Sequence, residues 1–253
     1  CTNQIIDLYK QYRNVGLVLS SCTLTDDRGR HHPTMLSLSP LSTHNSDGNL
    51  NRNHLDSFSQ LTNEMHKQGS CFGIQLVHSG LSAKKHLINN LNPEGPNTMS
   101  IADIERVINN FQKSAELAYQ IGVDAIQIHA ALCYLLGSFL SSVSNKRTDE
   151  FGGSIDKRCE LLRRIIRAIR SKIPSSFPLL VKLNGTTEQC FISNEELASI
   201  SEIAADSGVD AIEFSVNRYR PHTSFEQSKT YFTQNQSDVV RNLKFDYTVV
   251  AMA

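Results

Sequence analysis

Between Gln127 and Ser154 an alternating apolar run ends on His129 and Tyr134 follows five residues later. A polar loop, Arg147-Thr148-Asp149, with the paired glycines Gly152 and Gly153 then leads into a helix. The order is strand, loaded loop, helix. In α/β proteins the loop leaving the C-terminal end of a strand collects reactive groups, because strand and helix hold it rigidly while its side chains face an open crevice. A histidine that donates a hydrogen bond to a carbonyl oxygen draws charge onto that oxygen, and a tyrosine hydroxyl can deliver a proton to an adjoining carbon. Taken singly, His129 also reads as a satisfied polar group at a strand end, and Tyr134 as a structural aromatic.

The surrounding chain narrows the setting. Its 253 residues suit one α/β barrel or two smaller domains, and a single domain over 1–253 is the expectation. Lys plus Arg and Asp plus Glu both number 25, so bulk charge recruits neither nucleic acid nor an acidic membrane, and a small-molecule partner is expected. Cys1, Cys22, Cys71, Cys133, Cys159 and Cys190 form no Cys-x-x-Cys pair, against a zinc ribbon, a redox dithiol or a compact disulfide framework. No metal site and a reducing, cytoplasmic setting are expected. No run is long enough to span a bilayer, and the N-terminus lacks the pattern of a signal peptide.

A weak internal repeat supplies the architecture. Ala118 to Ile128 is echoed by Ala204 to Phe214, each a helix end, a glycine stop and a Val-Asp-Ala-Ile strand. A glycine in the left-handed conformation ends a helix, and a short apolar run after it suits a strand buried on both faces. Strands are expected near 16–20, 72–77, 125–129, 179–183, 211–215 and 248–252, each preceded by a helix. Right-handed crossovers curl such a series into a parallel sheet or barrel, and the closed (β/α)8 form needs eight units. The expected fold is therefore an incomplete TIM barrel. Helix Ile155 to Ser171 places Leu161, Leu162, Ile165, Ile166 and Ile169 on one face and arginines elsewhere, as an outer helix with a solvated basic side. The Ser-, Asn- and His-rich stretch Leu36 to Asn53 reads as a long loop over the barrel mouth.

His129-Ala130-Ala131-Leu132-Cys133-Tyr134-Leu135, Ser138-Phe139-Leu140-Ser141 and Asn145 to Ser154 together resemble the signature segment of the Old Yellow Enzyme family of FMN-dependent NAD(P)H oxidoreductases. Gly73 to Gly80 resembles the family's Gln-Leu-x-His-Ala-Gly strand, and Val181-Lys182-Leu183-Asn184 its Lys-Leu-Asn strand. The likeness covers most of residues 15–251 and is greatest to the NADH:flavin oxidoreductase or NADH oxidase branch. It implies a TIM barrel holding FMN at its mouth, reduction of FMN by NADH or NADPH, and then reduction of an electron-poor, enone-type alkene. By the same resemblance Gln75 would hydrogen-bond the flavin pyrimidine ring and Lys182 would place positive charge beside it. Ser21 would also lie on the cofactor, His129 would hold the substrate carbonyl, and Tyr134 would protonate carbon. Without the family, Lys182 reads as a strand-end lysine reaching water and Gln75 as a loop-facing polar residue. A Schiff-base role for Lys182 in an unrelated barrel needs a desolvated amine.

The chain also departs from the pattern. Leu132 stands where the family has a second His or Asn on the substrate oxygen, and losing one such donor typically costs on the order of a hundredfold in rate. Cys133 replaces a glycine, Leu81 stands where Arg usually follows, and Val216-Asn217 replaces Gly-Gly. The chain starts at Cys1 and ends in the apolar run Tyr247 to Ala253, so both ends read as cut, with the first strand and the family's phosphate-binding loops outside it. From this follow the expectations of impaired FMN binding, of self-association through open barrel edges, and, as the alternative function, of a catalytically inactive barrel remnant or interaction protein.

Overall fold

The computed structural model describes residues 2–12, 15–184 and 192–215. Seven strands form one parallel sheet among them: β1 (Leu17–Leu19), β2 (Thr23–Leu24), β3 (Leu36–Ser37), β4 (Cys71–Val77), β5 (Ala125–Ala130), β6 (Leu179–Asn184) and β7 (Ala211–Ser215). The order is β3-β2-β4-β5-β6-β7, and β1 pairs the first half of β4 below β2. The helices are α1 (Asn3–Tyr9), α2 (Pro40–Thr43), α3 (Arg52–Lys67), α4 (Ile101–Gln120), α5 (Leu135–Leu140), α6 (Ile155–Arg158), α7 (Glu160–Arg170) and α8 (Asn194–Asp206). No helix among the described residues is long and apolar enough to cross a membrane.

Local chemistry sets the main boundaries. Ser100 and Asp103 cap α4 reciprocally, and Ser193 and Glu196 do the same for α8, each pair satisfying N–H groups that the first turn leaves open. Both helices end before a left-handed glycine, Gly122 at φ +86° and Gly208 at φ +116°, as the repeat implies. The two aspartates of the repeat perform one task twice. Asp124 accepts the Phe72 N–H at 2.7 Å, and Asp210 accepts the Leu179 N–H at 2.8 Å, so each ties its unit to the start of the preceding strand. Strands β4, β5 and β6 are buried almost throughout, as a sheet covered on both faces requires. Their apolar residues join α3, α4 and α7 in one core.

The expected strands near 16–20, 72–77, 125–129, 179–183 and 211–215 are present, and that near 248–252 lies outside the described residues. The stretch Leu36 to Asn53 corrects the long-loop expectation: it holds β3, α2 and an antiparallel bridge between His44 and Leu50. Buried Leu36 and Leu38 draw it onto the sheet, while Ser37, Ser39 and Ser42 bond one another and Ser39 bonds Asp27 at 2.7 Å. A two-residue strand shows no periodicity, and Ser-rich composition also suits such local networks. The helix expected over Ile155 to Ser171 is interrupted at Cys159, where Arg158 turns inward to the Leu140 and Gly153 carbonyls and to Glu196. On its basic side Arg167 is exposed as expected, whereas Arg163 meets Asp156 and Glu160, and Arg164 meets Glu105, Glu150 and Glu160.

Candidate active site

The ends of three neighbouring strands hold the turn after β5. Leu132 and Cys133 both take left-handed backbone angles, φ +58° and φ +53°, which cost roughly 1–2 kcal/mol per residue outside glycine. Asn184, the last residue of β6, accepts the Leu132 N–H at 2.7 Å and so holds that turn. The Tyr134 N–H donates to the Ala131 carbonyl at 3.1 Å, and the Leu135 N–H to the His78 carbonyl beyond β4 at 3.1 Å. Gly80 lies under the same turn at φ +57°, where a Cβ would come within 2.7 Å of the Leu135 nitrogen. Tyr134 thus stands at the N-cap of α5, its backbone fixed by β4 and β5 together.

His129 is 2 % exposed, and its ring lies 5.0 Å from that of Tyr134. Burial first, then the Lys182 charge, lower its imidazole to about 3, so it is neutral at ordinary pH. The Ala131 N–H points at Nδ1 at 3.3 Å. In a neutral ring with Nδ1 accepting, Nε2 carries the proton and is the donor. Tyr134 is half-buried, and burial followed by the nearby Cys22 raises its hydroxyl above the usual value, so it keeps its proton. A third ring, His31, lies 5.4 Å from Tyr134 with Nδ1 2.6 Å from Ser79 Oγ.

Below these rings the strand interiors carry a continuous polar chain. Lys182 Nζ lies 2.8 Å from Glu213 Oε1. Gln127 Nε2 donates to Glu213 Oε2 at 2.8 Å, and Gln75 Nε2 to Gln127 Oε1 at 2.6 Å. Cys22 Sγ lies 3.4 Å from Gln75 Oε1. Burial raises the Cys22 thiol, with Lys182 opposing it.

Of the five residues singled out in the sequence, four therefore come together. His129 neighbours Lys182 in register, and Gln75 is linked to Lys182 through Gln127 and Glu213. Ser21 belongs to a different neighbourhood: it is exposed, its N–H donates to Tyr9 Oη at 2.5 Å, and it lines a groove with Tyr9, Met35, His54 and Phe58. Its neighbours are the ones that meet Gln75: Cys22 at the side-chain oxygen, and Ser20, whose Oγ accepts the Gln75 backbone N–H at 3.0 Å. Sequence reading missed Cys22, His31, Gln127 and Glu213. Gln127 and Glu213 did carry a signal, since each is the fifth residue after its repeat's glycine and is polar within an apolar strand. Among the described residues Cys22, Cys71 and Cys159 are free thiols. Leu81 is exposed, and Val216-Asn217 lies outside the described residues.

The profile of the NADH:flavin oxidoreductase / NADH oxidase family matches residues 34–249. An NADH-dependent flavin oxidoreductase of a Neonectria species is 35% identical over 130 residues, covering 51% of this chain and 17% of that protein. An NADH:flavin oxidoreductase of Gibberella zeae is 29% identical over 251 residues, 84% of this chain and 58% of its own length. The NADPH dehydrogenase of Bacillus subtilis is 31% identical over 180 residues, 68% of this chain and 49% of its own. The chain thus spans at most 58% of these relatives. In fold it is similar to a 2-naphthoyl-CoA reductase solved with 2-naphthoyl-CoA, at TM-score 0.83 and 20% identity over 98% of this chain and 40% of that one. It is also similar to an Old Yellow Enzyme homologue from Zymomonas mobilis, at TM-score 0.79 and 18% identity over 99% of this chain and 72% of that one. The parallel sheet is accordingly that of a TIM barrel, and the chain belongs to the NADH:flavin oxidoreductase / NADH oxidase family.

Proposed function

We propose that the chain acts as an FMN-dependent NAD(P)H oxidoreductase on electron-poor alkenes conjugated to a carbonyl. The observation that carries this reading is the pair at the end of β5: a neutral His129 with its proton on Nε2, against a Tyr134 that retains its hydroxyl proton. His129 would donate to the substrate carbonyl and draw electron density from the double bond, and Tyr134 would give its proton to carbon. The residues suit the flavin: Gln75, its Nε2 engaged with Gln127, offers its amide oxygen, and Lys182 lies at the same strand ends with its amine on Glu213, a polar pair for the edge of the pyrimidine ring. Asn184 Nδ2 is buried without a hydrogen-bond partner among the described residues and adds an unused donor beside the turn. Bound FMN would supply hydride transfer from NADH or NADPH to the alkene.

Incubation with FMN, gel filtration and an absorbance spectrum test this directly. Flavin bands that bleach on adding NADH and return on adding an enone are expected. The alternative, a barrel remnant without catalysis, is favoured by Leu132 at the position of a family donor, and a colourless protein after gel filtration would establish it over the flavoenzyme.

A further inference from the structure

A side-chain amide turned end for end keeps almost the same shape, so packing alone does not choose which end faces a ligand. Chemistry chooses in the chain beneath His129. An ammonium has only donors, and the carboxylate paired with it has only acceptors. With Lys182 on Glu213 Oε1, the free oxygen Oε2 requires a donor, and Gln127 must turn Nε2 toward it. Gln127 Oε1 then faces β4 and requires a donor in turn, which is Gln75 Nε2. The end of Gln75 left over is Oε1, the end that Cys22 meets. Gln127 is fully buried, Glu213 is 2 % exposed and Gln75 9 %, so water is poorly placed to substitute for a misdirected amide.

We propose that Glu213 is a positioning residue which, through Gln127, holds the Gln75 amide oxygen toward the cofactor as an acceptor, so that the site selects a pyrimidine edge bearing an N–H. The selected group in a flavin is N3–H, flanked by two carbonyls, and the inference rests on the flavin reading above. Glu213→Gln would do more than remove a charge. Lys182 would take the carbonyl oxygen of the new amide, its NH2 would face Gln127, and Gln127 and Gln75 would both reverse. A donor would then meet N3–H.

The test compares binding of FMN and N3-methyl-FMN to the wild-type chain, E213Q and Q127M by fluorescence titration. Side-chain amide exchange of Gln75 by 15N NMR, without flavin, is the second readout. Wild type is expected to prefer FMN. Both variants should weaken FMN roughly tenfold, the factor of one typical hydrogen bond, with little change for the methylated flavin. Exchange of the Gln75 NH2 should accelerate in both. Q127M keeps the Lys182–Glu213 pair, so it separates amide direction from charge, and it serves if E213Q does not fold. Wild type preferring FMN with variants unchanged in preference and exchange would overturn this inference and leave the flavoenzyme intact. Wild type binding neither flavin would overturn the flavin reading and the inference with it.

Discussion

Replacing Leu132 by Asn should improve the proposed reaction at little cost in stability. Leu132 holds φ +58°, and a left-handed conformation costs an ordinary residue roughly 1–2 kcal/mol, less for Asn, whose short polar side chain bonds locally. Against that relief stands lost packing. Full burial of a leucine is worth roughly 1.5–3 kcal/mol, but Leu132 is only half-buried, so the loss is a fraction of this. The Leu132 N–H to Asn184 bond is a backbone contact and survives the change. The terms offset to within about 1 kcal/mol, a shift of roughly 2–4 °C in Tm for a chain of this size. On the family resemblance the new amide restores a second donor to the substrate oxygen, and one such donor is typically worth roughly 10²–10³ in rate. The assay is reoxidation of the NADH-reduced protein by a cyclic enone in stopped flow, beside a melt of each protein. A Tm lowered by more than about 4 °C would refute the strain account. Unchanged reoxidation in a protein with full flavin would refute the donor account.

Three further outcomes are expected. Tyr134→Phe should leave reduction of the flavin by NADH intact while slowing enone-dependent reoxidation roughly 10²–10⁴-fold, the usual worth of a positioned acid; equal loss in both halves would count against a proton-donor role. His129 has a folded-state value lowered to about 3 from the ordinary 6.5, so between these the unfolded chain binds a proton that the folded chain refuses. Stability therefore falls as pH drops through this window, by up to about 1.4 kcal/mol per unit from this group. Urea midpoints at pH 7 and pH 4 should separate more for wild type than for His129→Asn, and parallel curves would contradict the assignment. Gly80→Ala should destabilise by more than about 1 kcal/mol, since φ +57° and a Cβ 2.7 Å from the Leu135 nitrogen oppose it together. A wild-type Tm would show that the turn under Tyr134 yields more easily than its geometry implies.

Much of this molecule was legible in its sequence because the relevant signals are local. The glycine stops of the repeat, the apolar strands behind them and the motif from His129 to Tyr134 each depend on residues near one another in the chain, and local backbone chemistry decides them. What faces what across the sheet is decided by register and packing. Only there do Gln127 and Glu213 become links between Gln75 and Lys182, does Cys22 rather than Ser21 meet Gln75, and does His31 reach Tyr134. The two-residue strand at Leu36, the interruption at Cys159 and the neutral state of His129 likewise come from burial against distant elements, because desolvation depends on three-dimensional neighbours that spacing along the chain does not encode.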